Sequence, residues 1–551
     1  MSKPRAKSSN SGNPGNQGNQ GNQGIVVAPQ CEAAREGASV LREGGNAADA
    51  LVTAALVQGV TDPHRCGLGG FGCATIRWQE SSESLCVGFH ARGGEKVHAE
   101  QWESILESAA PDGFGYILKG KVNDVGYQSI ATPGMVAGLA VIHSRFGHLP
   151  WKNLVQRAAR VARTGFLVGP GLAGFWRRPG LYGRVSTGDR LGQTEYGKEL
   201  WLDENGTPFQ EGHVVVQEDL AQTYDQLAAE GPESFYTGAL GARIAADLQG
   251  NGAWVTEEDM RHCQAVEEAP LVGHFRDHEV LTSPLPGGGT ALLQALKLVE
   301  HEGFERLRFN SLEYIDRLAR ILKAVWHDRL ENQGDPLFTS ARSDDLLADN
   351  YINELLEKHG HAPVSGSESP DTTQLSIVDA QHNCISFSHS LGYGSGVFTP
   401  KLGFMFNNCM SGFDPRPGKA NSIAPGKARS TAIAETILLH KGKPSLVLGS
   451  PGAARITAAI VQVLVGVIDH GMSLSEAILQ PRFDAYGERT LFLESRFPLD
   501  IVRALEKRGW EVRQSPRPFG MVGRVYAIRI HPDGHVEGGV DPGEPGLSQR
   551  A

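Results

Sequence analysis

The chain has 551 residues, of which 40% are apolar and 21% are charged. This composition is typical of soluble globular proteins, and the length allows one large α/β unit or several smaller domains. Its 62 acidic and 52 basic residues give a net charge of -10, which argues against a surface for nucleic acid or for an anionic membrane. No apolar run of about 18 residues is present, so the sequence predicts no membrane span.

The first 24 residues repeat Gly-Asn-Gln and contain no apolar core, so we expect residues 1–24 to form a disordered tail. This segment also lacks the apolar stretch of a secretory signal. The seven cysteines include no CxxC pair and are interpreted as packed thiols in a reducing compartment. Together these features predict a cytoplasmic protein.

Two helices are predicted to follow the tail. The first covers 31–43 and ends at a glycine pair, and Asn46 is expected to cap the second, apolar helix at 47–60. The next loop, 62–72, has the glycine spacing of a nucleotide-binding loop, but it follows a helix and leads into a predicted strand at 73–78. A nucleotide-binding loop requires the opposite order, so this resemblance is discounted.

The middle of the chain is predicted to contain helical regions at 134–163, 291–300 and 312–329. A polar stretch rich in Ser, Pro and Gly at 358–371 then predicts a linker. Its histidines, His359 and His361, invite interpretation as metal ligands, but no further ligand stands at a recognised spacing. We therefore expect two solvent-exposed loop histidines, and no metal or other cofactor.

An alternating strand begins where the linker ends, at Thr372. This pattern is typical of a catalytic N-terminus before the chain cuts itself. A threonine hydroxyl is a weak nucleophile at neutral pH, but a threonine at a new chain terminus carries its own base, the α-amine. Cleavage between Asp371 and Thr372 would therefore create a nucleophile and its base in one step.

The same strand is predicted to pair with the next one in an antiparallel hairpin, because apolar residues alternate on both sides of a polar turn. Antiparallel partners keep a constant index sum, so pairing Ile377 with Ile385 places Thr372 opposite Ser390 on the other face. A second hydroxyl then lies beside the first. The alternative is an ordinary hairpin with Thr and Ser on its exposed face, where both are common.

Beyond the hairpin, strands are predicted at 403–407 and 445–449. The second strand leads through a Gly-Ser-Pro-Gly turn into an apolar helix that ends near His470. Backbone N–H groups at such a helix start can stabilise an anion. An oxyanion formed at Thr372 would need donors of this kind, although a turn that only reverses the chain is equally common.

Together these segments resemble the γ-glutamyltransferase (glutathione hydrolase) family of N-terminal nucleophile hydrolases. The resemblance is carried by GGNAADALVTAALVQGVTDPHRCGLGGFG, ATPGMVAGL, PLPGGG, DTTQLSIVD, GSPGAARI and DHGMSLSEAILQPRFDA, in this order. It implies an αββα sandwich of the α/β (α+β) class, self-cleaved into a large subunit, 25–371, and a small subunit, 372–551. The two fragments would remain together as a heterodimer. It also implies that a γ-glutamyl amide such as glutathione is cleaved through an acyl-Thr372 intermediate, by hydrolysis or by transfer to an amine.

The resemblance further implies roles for individual residues. Thr372 is the expected nucleophile, Thr373 follows it, and the Ser390 hydroxyl supports it. The backbone N–H groups of Gly452 and Ala453 are expected to hold the oxyanion. The substrate α-carboxylate would be bound by Arg92, through the bidentate fork of its guanidinium, and by Thr431.

The sequence departs from the family pattern in one part of the expected site. The residues that receive the substrate α-ammonium correspond to Gly392, Cys409 and Gly412, whose side chains offer it no charge. Asp414 and Glu435 are nearby candidates to replace them. Two alternatives therefore stay open: an amidohydrolase or acylase for a carboxylate-bearing amide that lacks the ammonium, and an uncleaved relative that binds a metabolite without turning it over.

Overall fold

The structure is a computed structural model that describes residues 24–110, 115–180, 183–360, 372–486, 489–520 and 522–551. In these ranges the α-helices are α1 (Cys31–Arg42), α2 (Ala47–Thr61), α3 (Met135–Phe146), α4 (Trp151–Thr164), α5 (Pro170–Trp176), α6 (Thr187–Leu191), α7 (Glu195–Trp201), α8 (Glu218–Glu230), α9 (Ala239–Gly250), α10 (Glu257–Arg261), α11 (Gly289–His301), α12 (Leu312–Asn332), α13 (Ser343–Leu346), α14 (Asp349–His359), α15 (Ile456–Ile468), α16 (Leu474–Leu479) and α17 (Leu499–Lys507).

The strands in the same ranges are β1 (Ile25–Ala28), β2 (Phe71–Trp78), β3 (Glu83–Phe89), β4 (Leu106–Ala109), β5 (Tyr116–Leu118), β6 (Phe166–Leu167), β7 (Val214–Val215), β8 (Val266–Glu268), β9 (Leu271–Phe275), β10 (His278–Thr282), β11 (Thr372–Val378), β12 (Cys384–Ser390), β13 (Thr436–His440), β14 (Lys443–Gly449), β15 (Phe483–Tyr486), β16 (Thr490–Leu493), β17 (Glu511–Gln514), β18 (Tyr526–Ile530), β19 (Val536–Val540) and β20 (Leu547–Arg550).

Two antiparallel sheets form the centre of the molecule. The seven-stranded sheet has the order β20-β1-β11-β12-β2-β3-β8, and the six-stranded sheet has the order β19-β18-β14-β13-β10-β9. Their facing sides pack through a buried apolar cluster that includes Val27 of one sheet and Ile437, Val447 and Ile528 of the other. Burying these faces against each other stabilises the sandwich.

Helices cover the outer face of each sheet. Helices α1, α2 and α3 pack on the seven-stranded sheet, and α11, α15 and α16 pack on the six-stranded sheet. Every residue of α2 is buried, because this helix contacts the sheet as well as α1 and α4. The resulting layer order, helix, sheet, sheet, helix, is the predicted αββα order. None of the helices in the described residues has the length and apolarity needed to cross a bilayer.

The first two helices agree closely with their predicted bounds. The Asn46 side chain accepts hydrogen bonds from the N–H groups of Ala48 and Asp49, and the Asp49 side chain accepts one from the Asn46 N–H. This capping box confirms the predicted helix start. The predicted helical region 134–163 consists of two helices, α3 and α4, because Gly147 adopts an extended backbone and Pro150 precedes the second helix.

Three expectations need correction. The predicted strand 403–407 is wrong: this segment forms only single bridges, at Met405 and Phe406, and pairs with none of the strands in the described ranges. His359 is the last residue of α14 and stacks on His327 with 4.3 Å between ring centroids, so it is not a loop residue, while His361 lies outside the described residues.

Gly24, assigned to the tail, is buried and accepts a hydrogen bond from the Ala551 N–H. Residues 1–23 are not described.

The cysteines agree with the interpretation as packed thiols. All seven are free, five of them buried and two, Cys31 and Cys263, partly buried. Cys73 and Cys86 lie on adjacent strands with 3.2 Å between their sulfur atoms. Burial contributes to raising the pKa of most of these thiols, as it does for Cys66 and Cys384, so they are poor nucleophiles.

Candidate active site

Thr372 is the first residue of β11 and pairs directly with Ser390, the last residue of β12. The same register pairs Ile377 with Ile385, as predicted. The Thr372 hydroxyl donates to Ser390 Oγ over 3.3 Å, and the Gly392 N–H donates to that oxygen over 2.9 Å. Thr372 is 6% exposed, so its hydroxyl lies in a nearly water-free setting. Asp371, on the other side of the predicted cleavage point, lies outside the described residues.

The alternation of β11 sends its side chains to two different layers. Leu375 and Ile377 pack in the core under the helices, whereas Ser376 faces the six-stranded sheet and donates to the carbonyl of Tyr526. Thr372 is an even number of residues from Ser376 and therefore shares its face. The strand thus holds the hydroxyl between the two sheets.

Buried amides fix the strand from the helix side, directly behind Thr372. The Thr373 hydroxyl accepts a hydrogen bond from Gln58 Nε2 over 2.9 Å and donates to Gln30 Oε1 over 3.1 Å. The side-chain oxygen of Gln58 is 2.9 Å from His389 Nε2. Burial lowers the pKa of His389 to about 3, so this imidazole is neutral at physiological pH and serves as a hydrogen-bonding group.

A small cavity of about 20 Å³ opens beside Thr372. It brings together four of the predicted residues, namely Thr372, Ser390, Thr431 and Ala453. Thr431 is 2% exposed, and its hydroxyl oxygen is buried without a hydrogen-bond partner among the described residues. A buried hydroxyl of this kind is available to a bound ligand.

The predicted oxyanion residues lie where β14 passes into a helix. Gly452 has φ +149°, and Ala453, which lines the cavity, has φ +45°. Ala453 begins a single 3₁₀ turn that continues directly into α15. The first N–H groups of a helix lack intrahelical acceptors, so this end can donate to an anion in the cavity. A left-handed φ costs alanine more than glycine.

Arg92, which is predicted to bind the substrate carboxylate, is not among the residues that line this cavity. Its Nη1 donates to the carbonyl of Gly426 over 3.0 Å and is 3.5 Å from Asp335 Oδ2. The same Asp335 oxygen accepts from the Ala428 N–H over 2.7 Å. Arg92 and Asp335 therefore fix the backbone that leads to Arg429. Direct contact of Arg92 with substrate stays a prediction.

Arg429 is the cationic side chain at the cavity, and sequence reasoning missed it. Its guanidinium lies 5.2 Å from the Phe71 ring centroid, and Nη1 is 3.6 Å from the sulfur of Cys409. A Cβ atom on Gly412 would lie only 2.3 Å from Arg429 Nε. The guanidinium thus occupies the space beside two of the three positions expected to receive an ammonium. No motif marks this arginine in the sequence. The small residues at 409 and 412 were the available signal.

Neither Asp414 nor Glu435 offers this cavity a carboxylate in place of the ammonium-binding side chains of the family pattern. Asp414 accepts hydrogen bonds from Arg416 and from the Tyr116 hydroxyl. Burial raises the pKa of Asp414, but these hydrogen bonds outweigh burial and hold the pKa below its ordinary value. Glu435 is fully buried, and burial raises its pKa to about 8. It is therefore a neutral acid at pH 7, and neither residue lines the cavity at Thr372.

Comparison with known proteins places these features in a family context. A family model described as Gamma-glutamyltranspeptidase matches residues 33–549. The chain is 32% identical to the Acylase ACY 1 proenzyme of Pseudomonas sp. (strain V22), over 93% of this chain and 91% of the relative. It is 29% identical to the Glutathione hydrolase proenzyme of Escherichia coli (strain K12), over 94% of this chain and 90% of the relative.

Two solved structures share the fold. The cephalosporin acylase from Bacillus halodurans has a TM-score of 0.83 and 25% identity, and the match covers 96% of both chains. The Helicobacter pylori gamma-glutamyltranspeptidase has a TM-score of 0.54 and 26% identity, covering 61% of this chain and 92% of that chain. The similar proteins thus include both acylases and glutathione hydrolases.

Proposed function

The chain belongs to the gamma-glutamyltranspeptidase family, and from this premise we propose that it is a self-processing amidohydrolase for acyl groups that end in a carboxylate and carry no α-ammonium. Its relatives include acylase and glutathione hydrolase proenzymes, which supports processing and amide cleavage. The observation that carries the acyl specificity is the Arg429 guanidinium, packed against Cys409 and over Gly412.

The proposed reaction starts with cleavage of the bond between Asp371 and Thr372, which produces a heterodimer of residues 1–371 and 372–551. The Thr372 hydroxyl then attacks the carbonyl carbon of the substrate amide and passes its proton to the new α-amine of Thr372. The N–H groups of Gly452 and Ala453 stabilise the oxyanion. The α-ammonium protonates the leaving amine as the C–N bond breaks. Water, deprotonated by the same α-amine, hydrolyses the acyl-Thr372 ester and releases the carboxylic acid.

Arg429 favours an anionic acyl group on electrostatic grounds. A substrate ammonium at this end of the cavity would face a guanidinium in a low-dielectric setting, where like charges repel strongly. A carboxylate would instead accept two parallel hydrogen bonds from the guanidinium fork. The Thr431 hydroxyl, which has no partner in the described part of the chain, adds a third donor. Amides of dicarboxylic acids such as glutaric acid fit this arrangement.

The second candidate is the function expected from the sequence, cleavage of γ-glutamyl amides such as glutathione by hydrolysis or transfer. The similarity to a glutathione hydrolase proenzyme favours it. A γ-glutamyl α-carboxylate can also use Arg429 and Thr431, but its ammonium then lacks an ionised acceptor, because Asp414 is paired with Arg416 and Glu435 is neutral. An unpaired buried ammonium costs affinity.

Kinetics on the processed enzyme separate these candidates. We expect kcat/KM for glutaryl p-nitroanilide to equal or exceed that for γ-glutamyl p-nitroanilide, since the enzyme loses little when a group it never pairs is removed. A strong preference for the γ-glutamyl anilide would instead establish the second candidate. A single full-length band on a denaturing gel, with no cleavage of either anilide, would indicate a non-catalytic binding protein.

A matched substrate isolates the contribution of Arg429. Butyryl p-nitroanilide has no carboxylate, so Arg429→Met should affect it little relative to the glutaryl compound. A hydrogen bond to a charged group contributes about 1.5–3 kcal/mol, so the ratio of the two kcat/KM values should fall by about 10- to 100-fold. An unchanged ratio would remove Arg429 as the carboxylate-binding residue.

A further inference from the structure

A second and much larger cavity adjoins the one at Thr372. Its volume is about 280 Å³, and the two cavities share the segment 429–432 as their wall. Arg429 and Ala432 line both cavities, whereas Thr431 lines the small one and Ser430 the large one. A substrate bound at Thr372 that extends past Arg429 therefore enters the larger cavity.

This larger cavity contains a buried arginine that has no counter-ion among the described residues. Arg329, near the end of α12, is 6% exposed, and its Nη2 donates to Ser430 Oγ over 3.0 Å. Its Nη1 is buried with no hydrogen-bond partner among the described residues, and the same residues place no carboxylate within ion-pair distance of it. Burying a charge in this way is costly unless something pairs with it.

In the part of the chain that the structure describes, the other charged residues around the cavity do not neutralise Arg329. Asp414 is already paired with Arg416, and Glu331 is an exposed residue. Burial, and then repulsion from the positive charge of Arg429, lower the pKa of Arg329 to about 9. The Arg329 guanidinium is therefore still cationic at pH 7. The adjacent Trp326 adds an indole N–H that has no partner in the described ranges.

We propose that this cavity, here called the Arg329 subsite, binds a substrate carboxylate that lies farther from the scissile amide than a carboxylate bound at Arg429. The proposal rests on the proposed function, in that the substrate is an amide held at Thr372. Nη1 of Arg329 and the indole N–H of Trp326 are the free donors that this carboxylate satisfies. It belongs either to a long dicarboxylic acyl chain or to the leaving amine.

Three substrates distinguish these two sources. Glutaryl p-nitroanilide has no remote carboxylate, suberyl p-nitroanilide has one at the end of a longer acyl chain, and the glutaryl amide of 4-aminobenzoic acid has one on the amine. For each, we compare kcat/KM of the wild type with that of Arg329→Met and Arg329→Lys. The methionine variant keeps the volume of the side chain and removes its charge, and the lysine variant keeps the charge.

We expect Arg329→Met to lower kcat/KM for one remote-carboxylate substrate, relative to glutaryl p-nitroanilide, by about tenfold or more, mainly through KM, and Arg329→Lys to restore part of the loss. The substrate that responds identifies the source of the carboxylate. Equal effects of Arg329→Met on all three substrates would overturn the proposal, because they would indicate a general structural role.

The Arg329 subsite can be tested even if the proposed acyl specificity is wrong. If the enzyme prefers γ-glutamyl amides, the same ratio is measured with γ-glutamyl p-nitroanilide and the γ-glutamyl amide of 4-aminobenzoic acid. If no amide is cleaved, thermal-shift titrations with suberate and 4-aminobenzoate report binding without turnover. One of these anions should then raise the melting temperature of the wild type but not of Arg329→Met, and the absence of any difference would overturn the Arg329 subsite.

Discussion

Thr372 and Ser390 are directly paired residues on adjacent antiparallel strands, and 3.3 Å separates their hydroxyl oxygens. Ser390 Oγ also accepts the Gly392 N–H, which orients the serine hydroxyl with respect to the threonine. The pair thus has a defined geometry that rests on a backbone ladder, and each member can be tested separately.

Replacing Thr372 with alanine should leave a single chain of 551 residues, because the proposed cleavage needs this hydroxyl as its nucleophile. The wild type should yield fragments 1–371 and 372–551 on a denaturing gel, with a new N-terminal threonine by mass spectrometry. Thr372→Ser keeps a hydroxyl and serves as the control that should still be cleaved. Cleavage of the alanine variant at the same bond would rule out Thr372 as the nucleophile.

Ser390→Ala should slow self-cleavage and turnover by about two- to tenfold, since one lost hydrogen bond of about 0.5–1.5 kcal/mol has an effect of that size when it acts in the transition state. The fold should persist. Ser386→Ala is the matched control: Ser386 lies on the same strand and face but donates to the carbonyl of Leu448, so its loss should affect stability more than rate. Equal rate effects of both variants would argue for packing rather than for support of the nucleophile.

Ala453→Gly should retain activity and increase the free energy of unfolding by about 1 kcal/mol. Alanine at φ +45° has a left-handed backbone that costs about 1–2 kcal/mol, and glycine avoids this cost while losing about 0.5–1 kcal/mol through its greater freedom in the unfolded chain. Urea unfolding and anilide kinetics check both parts. Because the backbone N–H is kept, a large loss of kcat would contradict the proposed role of that N–H group.

Glu435→Gln should stabilise the protein at alkaline pH. Burial raises the folded-state pKa of Glu435 from 4.5 to about 8, so between these values the folded protein binds a proton that the unfolded chain does not. The wild type therefore loses stability as pH rises from about 4.5 to about 8, by an amount on the order of several kcal/mol. Melting temperatures of both proteins from pH 5 to 9 should diverge as pH rises. Parallel curves would show that Glu435 is already ionised.

The hairpin shows what the sequence predicts well. Side chains alternate strictly along a strand, so aligning the apolar residues of β11 and β12 was enough to place Thr372 opposite Ser390. The Asn46 cap is equally local. Both features depend on residues within about twenty positions of each other, and on patterns that the backbone itself imposes.

The position of Arg429 could not be predicted from local sequence patterns. Its contacts with Phe71, Cys409 and Gly412 join a strand, a 3₁₀ turn and a loop, and no periodicity relates these positions. Arg92, the arginine that the sequence does single out, holds the loop before Arg429 through the carbonyl of Gly426, and its contact with substrate stays a prediction. The strand predicted at 403–407 was wrong for a similar reason. An alternating pattern of side chains does not form a strand unless another strand pairs with it.

The strand order has a consequence for a chain cut before Thr372. In the seven-stranded sheet, β1 from the first piece lies between β20 and β11 from the second, and in the six-stranded sheet β10 from the first piece pairs with β13 from the second. Both pieces are thus interwoven within continuous ladders. They could not separate as folded halves, because releasing either one would strip its backbone hydrogen bonds. Dissociation and unfolding would become the same event, and the cut would add a functional chain end without creating a separable partner.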